Sequence, residues 1–232
     1  MNPPSVLIIG ASRGLGLGLA AEFVARGWQV VASVRQPGPA EALKALASAN
    51  PGRLEIETVD IDRREQVVAL GERLAGRTFD IVFVNAGIMG PEHQRAEEAS
   101  REEVGQLFTT NAIAPIALAR LFLDRIRPEG GVLAFMSSRL GSVGDNIEGG
   151  TELYRASKAA LNSLTRGLVA ELRDRPITVL SLHPGWVRTD MGGASAPLDV
   201  ATSARGLVDV VIGRRGSRTH VFLDYSGAEI PW

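Results

Sequence analysis

Tyr154 and Lys158 stand four residues apart in a stretch with helical spacing, so a helix would place both side chains on one face. The chain has two tyrosines, Tyr154 and Tyr225, and two lysines, Lys44 and Lys158, the rest of its 25 basic residues being arginine. Random placement would produce such a pair about 0.02 times by template counting. A surface tyrosine beside a solvated lysine is the bland alternative. The chemistry that wants the pair is proton transfer. Reducing a ketone with hydride leaves an alkoxide that must be protonated, so a general acid is needed beside it. A free phenol, with a pKa of about 10, is a poor base at neutral pH, and a nearby ammonium favours the phenolate. A serine hydroxyl, for which the adjacent Ser137 and Ser138 are candidates, can hold a carbonyl oxygen in place by hydrogen bonding.

A second constellation lies near the start. Gly10-Ala11-Ser12-Arg13-Gly14-Leu15-Gly16 follows an apolar run and leads into a helical pattern. Glycines there let backbone approach a pyrophosphate, and the helix N-terminus offers free N–H groups and a positive dipole end. The spacing G-x-x-x-G-x-G differs from the general dinucleotide fingerprint, and no Gly-Lys-Ser/Thr follows to make a P-loop. NAD sites place an acid about 20 residues on, at the end of the second strand. No acid occurs between Phe23 and Ala40; Arg35 follows Val34 instead, and Arg13 sits inside the loop. Two guanidiniums suit a 2′-phosphate, so NADP(H) is expected over NAD(H).

These groups need a scaffold that brings strand ends together, and the apolar pattern supplies one. Strand-like runs at Val6–Ile9, Gln29–Val34, Leu54–Val59, Phe79–Asn85, Gly131–Met136, Ile177–Leu182 and Thr219–Leu223 alternate with helical stretches at Leu15–Arg26, Ala40–Ala49, Arg63–Leu74, Arg101–Arg127, Glu152–Arg173 and Val200–Ile212. Near-continuous apolar strands alternating with helices predict parallel strands covered on both faces. The fold class is therefore α/β, a single doubly wound Rossmann-type domain over residues 1–232 with about seven parallel strands. Ligands in such folds sit at the carboxyl ends of the strands, where the marked residues fall.

Composition narrows the rest. With 232 residues the chain is long enough for one large domain, and 45% hydrophobic with 22% charged residues is an ordinary balance. A formal net charge of −1 offers no footprint for nucleic acid or an anionic membrane. Zero cysteines exclude thiolate catalysis and disulfides, and three scattered histidines make a metal site improbable. The N-terminus lacks a targeting pattern and no run reaches 18 apolar residues, so a cytoplasmic location is expected.

The chain resembles the short-chain dehydrogenase/reductase family along essentially its whole length. The motifs are Gly10-x-x-x-Gly14-x-Gly16, Asp60-Ile61, Asn85-Ala86-Gly87, Asn111, Ser138, Tyr154-x-x-x-Lys158 and Pro184-Gly185-x-Val187-x-Thr189. The resemblance implies Tyr154 as acid/base, Ser138 as the carbonyl-orienting group, and Lys158 as the ribose ligand that lowers the tyrosine's pKa. Asn111 would hold a water in a proton relay; alone, it would be read as a helix cap or kink near Pro115. Asp60 and Ile61 would contact adenine, Asn85–Gly87 would lie against the adenine ribose, and Thr189 with the backbone near Val187 would hold the carboxamide. Val84 precedes Asn85 where many members have a second asparagine, and the 16 residues from Ser138 to Tyr154 make a longer connection than in many members. That loop, the His183-Pro-Gly-Trp-Val-Arg-Thr-Asp segment and the terminal Ile230-Pro-Trp232 resemble the C-factor/sniffer-type carbonyl reductases.

Three activities follow as expectations: an NADPH-dependent reductase of small aldehydes or ketones, a 3-oxoacyl-carrier reductase, or a cofactor-binding signalling or sensor protein. Trp186, Met191 and the Ile147 loop could line an apolar pocket, although Trp186 could equally be core. Family members often pair through the helix after Tyr154, which here carries Ala156, Ala159, Ala160, Ser163 and Gly167. A homodimer or homotetramer is therefore expected, with packing against the sheet as the competing explanation.

Overall fold

The computed structural model describes residues 3–36, 38, 40–172 and 175–232. Seven parallel strands form one sheet in the order β3-β2-β1-β4-β5-β6-β7. They are β1 (Ser5–Ile9), β2 (Gln29–Val34), β3 (Leu54–Thr58), β4 (Ile81–Val84), β5 (Val132–Met136), β6 (Thr178–His183) and β7 (His220–Asp224). The helices are α1 (Gly14–Ala25), α2 (Glu41–Ala49), α3 (Arg64–Arg73), α4 (Arg101–Phe108), α5 (Ala114–Phe122), α6 (Glu152–Glu171) and α7 (Val200–Gly213). The expected end of the sixth helix at Arg173 lies outside the described residues.

Alternation along each strand divides the core in two. Val6 and Ile8 face one layer with Leu19 and Phe23 of α1, Leu43 of α2 and Leu207 and Val211 of α7. Leu7 and Ile9 face the other, with Leu70 of α3, Ile116 of α5 and Leu161 and Leu168 of α6. Each such side chain taken out of water contributes about 1.5–3 kcal/mol. Strands apolar on both faces are stable only with helices on both faces, which explains the near-continuous apolar runs. The order reverses between β1 and β4, and the cleft above that point receives the loops after both strands.

The expected Arg101–Arg127 helix is broken. Thr109–Ile113 forms a π-helical turn, and the run ends in a 3₁₀ turn at Leu123–Arg125. Pro115 has no N–H to give to the carbonyl four residues back, at Asn111, so the regular ladder cannot close there. By length and hydropathy the region Arg101–Arg125 could cross a membrane, although no continuous run of apolar residues suggested it. Leu107, Ala112, Leu118, Ala119 and Phe122 are instead buried in the protein core.

Candidate active site

The glycine loop connects β1 to α1 in the position anticipated for it. The Asn85 amide donates to the Gly10 carbonyl at 2.7 Å, and the Gly10 N–H donates to Ser33 Oγ at 3.1 Å. The loop is thus tied to β4 on one side and β2 on the other. A methyl at Gly16 would stand 2.0 Å from the Gly10 carbonyl oxygen, so only glycine allows helix and loop to approach this closely. Arg13 is the N-cap of α1 but makes no side-chain capping bond. Among the described residues no side chain caps the first-turn N–H groups of α1, and a glycine cradle of this kind fits the pyrophosphate of a dinucleotide.

The structure sends the Arg13 guanidinium across the cleft to the Asp190 carboxylate, both side chains being exposed. Arg35 stands exposed immediately past β2. Asp60, after β3, accepts the Asp62 N–H at 3.2 Å and lies 3.7 Å from Arg63, while Ile61 is buried against the α3 layer. Ser12 is half-buried in the loop.

Ser138, Tyr154, Lys158 and Asn111 are all buried, with Tyr154 and Lys158 8% and 3% exposed. Tyr154 and Lys158 lie on the inward stripe of α6 with Leu153, Ser157, Leu161 and Asn162. Ser138 caps a short 3₁₀ turn, Arg139–Gly141, by accepting the Leu140 N–H at 3.2 Å. That turn packs on α6: a methyl at Gly141 would fall 2.7 Å from the Lys158 backbone. That packing sets the turn headed by Ser138 against the helix that carries Tyr154. Ser137, one residue earlier, donates to Asn162 Oδ1 at 2.7 Å and fixes the end of β5 to the same helix.

Lys158 Nζ donates to the Met136 carbonyl at 2.9 Å and sits 5.7 Å from the centre of the Tyr154 ring. A methyl at Gly87 would be 3.3 Å from Lys158 Nζ and 3.2 Å from Asn111 Oδ1, so these side chains converge on the loop after β4. Asn111 lies in the π turn, and its side chain clamps Ile88. Oδ1 accepts the Ile88 N–H at 2.8 Å, and Nδ2 donates to the Ile88 carbonyl at 2.8 Å and to Ser157 Oγ at 3.0 Å. Both amide protons are used, which leaves acceptor capacity and the main-chain carbonyl as what Asn111 can offer a water.

Burial shifts the proton affinities of both Tyr154 and Lys158. Burial pushes the Tyr154 phenol up to about 12, and the Ser138 hydrogen bond only opposes this rise. Burial likewise pushes the Lys158 ammonium down to about 8. Desolvation penalises the charged form of each group and is the largest cause of both shifts. A phenol with its ordinary pKa of about 10 is already protonated at neutral pH, and burial widens that margin.

Beyond β6, Pro184 accepts the Ser203 hydroxyl at 2.6 Å. Gly185 continues this turn at a φ of 81°. Residues 187–198 form a closed loop in which the Arg188 N–H donates to the Leu198 carbonyl at 2.8 Å. Thr189 Oγ1 accepts the Gly192 N–H at 3.1 Å, and a methyl at Gly14 would stand 3.4 Å from Thr189, so this loop faces the glycine cradle. Trp186 is 56% exposed, its indole N–H donating to the Gly192 carbonyl at 2.7 Å, so it is not a core residue. Met191 and Ile147 are also exposed.

Sequence reasoning gave no role of their own to Ser33, Asp190, Ser157 and Gln94, each of which acts through a partner distant in the chain. It also missed two histidines. Burial pushes His183 and His220 down to about 4, and among the described residues His183 Nδ1 and His220 Nε2 have no hydrogen-bond partner. In the unfolded chain both titrate near 6.5, so between pH 6.5 and 4 the unfolded state binds more protons and folding stability falls with pH. The loss expected by pH 4 is about 3 kcal/mol for His183 and less for the wetter His220. Denaturant midpoints measured from pH 7 to 4 should fall accordingly, with a shallower fall in His183→Gln; a flat profile would refute this.

The short chain dehydrogenase family matches residues 4–197. C-signal of Myxococcus xanthus is 37% identical over 155 residues, covering 66% of this chain and 92% of that protein. A carbonyl reductase from Pseudomonas aeruginosa PAO1 in complex with NADP superposes with a TM-score of 0.93 at 47% identity, over 100% of both chains. Carbonyl reductase Sniffer of Drosophila melanogaster gives 0.87 at 33% identity, again over 100% of both. With a family match over most of its length and these neighbours around the same sheet, the chain belongs to the short-chain dehydrogenase family, in the branch that holds C-signal and Sniffer.

Proposed function

We propose that this protein is an NADPH-dependent reductase of small aldehydes or ketones, acting between a carbonyl and its secondary alcohol. The observation that carries the reading is the buried Ser138–Tyr154–Lys158 group at the strand ends, next to the glycine cradle. NADPH supplies the hydride when bound. Gly10, Ser12, Gly14, Leu15 and Gly16 would cradle its pyrophosphate, and Asp60, Ile61 and Asn85–Gly87 would line the adenosine side. Arg35 and Arg13 would hold the 2′-phosphate. Pro184, Gly185, Val187 and Thr189 would hold the carboxamide, and Lys158 the ribose. The exposed ion pair of Arg13 with Asp190 contributes at most about 1 kcal/mol, so a phosphate can compete for that guanidinium.

Ser138 would orient the carbonyl oxygen, and Tyr154 would give its phenolic proton to the alkoxide. The phenol is protonated at neutral pH and so carries the proton that the reductive direction needs, while burial by itself makes it a weaker acid. The Lys158 ammonium stabilises the phenolate left behind, and Asn111 would hold a water that returns the proton. Exposed Trp186, Met191 and Ile147 favour an apolar substrate.

Arg139 and Arg188 face Asp145, Asp224 and Asp199 at 3.7–4.0 Å, which argues against a basic rim for an acidic acyl carrier. Similarity to C-signal is the observation that favours a signalling role with little turnover. A cytoplasmic homodimer or homotetramer fits the outer faces of α5 and α6. Ala156, Ser163 and Gly167 point away from the sheet, and Ile113, Leu121 and Leu164 are exposed.

The test is fluorescence titration with NADPH and NADH, followed by a carbonyl panel monitored at the reduced-nicotinamide absorbance. NADPH binding with turnover supports the reductase. Binding without turnover, unchanged in Tyr154→Phe, supports the signalling reading, and no binding of either nucleotide overturns the role given to the glycine loop.

A further inference from the structure

Residues 88–100 lead from β4 to α4 without regular structure, and nothing in their sequence announces a role. Within them Gln94 adopts a left-handed backbone, φ 56°. That conformation is uncommon outside glycine and persists only where the surroundings enforce it. The Gln94 side chain is used at both ends. Nε2 donates to the Met89 and Pro91 carbonyls at 2.9 and 2.7 Å, and Oε1 accepts the Tyr154 N–H at 3.0 Å. The Gln94 carbonyl also accepts the Leu153 N–H at 3.4 Å. Nearby, the Glu152 carboxylate accepts the Ala96 N–H at 2.9 Å.

Leu153 and Tyr154 belong to the first turn of α6, where N–H groups have no acceptor within the helix. The N-cap side chain ordinarily supplies one. Thr151 occupies that position with a φ of 48° and makes no such bond. The cap comes instead from a residue 60 positions earlier in the chain. The other end of Gln94 grips the segment just past Ile88, which Asn111 clamps in turn.

We infer that Gln94 is a positioning residue: it caps the helix carrying Tyr154 and locks that turn to the loop after β4, setting the phenol against the bound carbonyl. This rests on Tyr154 being the proton donor. A misplacement of about 1 Å in a reacting group can cost about 100-fold in rate, so a clamp on that turn acts on turnover more than on binding.

The test compares wild type, Gln94→Ala and Gln94→Glu. The readouts are kcat and KM for a carbonyl that the wild type reduces, NADPH affinity, and hydrogen exchange at the Leu153 and Tyr154 amides. Gln94→Glu keeps an acceptor for the Tyr154 N–H but loses both donors to Met89 and Pro91. Gln94→Ala is expected to lower kcat by about tenfold or more, leave NADPH affinity within about twofold, and speed exchange at both amides. Gln94→Glu should keep the amides protected yet still lose kcat, because the clamp needs both ends. A kcat within about twofold of wild type in either variant, or a loss confined to KM, overturns the inference. If the alanine variant folds poorly, the glutamate variant decides by the same kcat criterion. A wild type without turnover would count against the reductase reading instead. Amide exchange would then still judge the cap, and unchanged exchange in Gln94→Ala would refute it.

Discussion

Tyr154→Phe should reduce turnover by about 10²–10⁴-fold while leaving NADPH affinity within about twofold. The substitution removes one oxygen and keeps the ring that packs in the site, where Tyr154 is only 8% exposed. The Ser138 hydroxyl loses the phenol as a partner but retains its bond to the Leu140 N–H. What disappears is the proton donor. Lys158→Met should differ in kind by lowering both turnover and cofactor affinity, since Lys158 would hold the ribose as well as stabilise the phenolate. Steady-state rates paired with fluorescence titration separate the two patterns. Near-normal rates in Tyr154→Phe would show that another group donates the proton.

Arg35→Asp should invert the cofactor preference. A charge-assisted hydrogen bond contributes about 1.5–3 kcal/mol, so losing the guanidinium weakens NADPH by roughly 10- to 100-fold. Placing a carboxylate beside the 2′-phosphate adds repulsion, while for NADH the same carboxylate meets a ribose hydroxyl that can donate to it. The ratio of NADPH to NADH affinity should therefore fall by about 100-fold or more. Arg13→Ala should give a smaller change, because its guanidinium must leave Asp190 to reach the phosphate. Equal losses for both nucleotides in Arg35→Asp would mean that residue 35 does not read the phosphate.

Some features were legible because local rules alone determine them. Helical periodicity puts Tyr154 and Lys158 on one face wherever the helix lies, and apolar runs of strand length between helical patterns dictate a parallel sheet. The glycine spacing locates the cradle, since a side chain at Gly16 would strike the Gly10 carbonyl. The break in the Arg101–Arg127 helix was half legible: Pro115 marks it, but the π turn that aims Asn111 at Ile88 depends on what Asn111 bonds to.

The tertiary structure decided the remainder. The Arg13–Asp190 pair, the Ser33 contact to the glycine loop and the Gln94 cap join residues 23 to 177 positions apart. No local propensity encodes them. The proton affinities of the site were set there too, because they depend on how much water the fold excludes. From residue types, lysine beside tyrosine predicts a lowered phenol; in the packed site, burial moves the phenol up and the ammonium down. Sequence named the groups that could transfer a proton, since chemistry belongs to residue types and their spacing. Their proton affinities and alignment came from the packed interior, where desolvation and contacts between distant segments set energies that no local pattern carries.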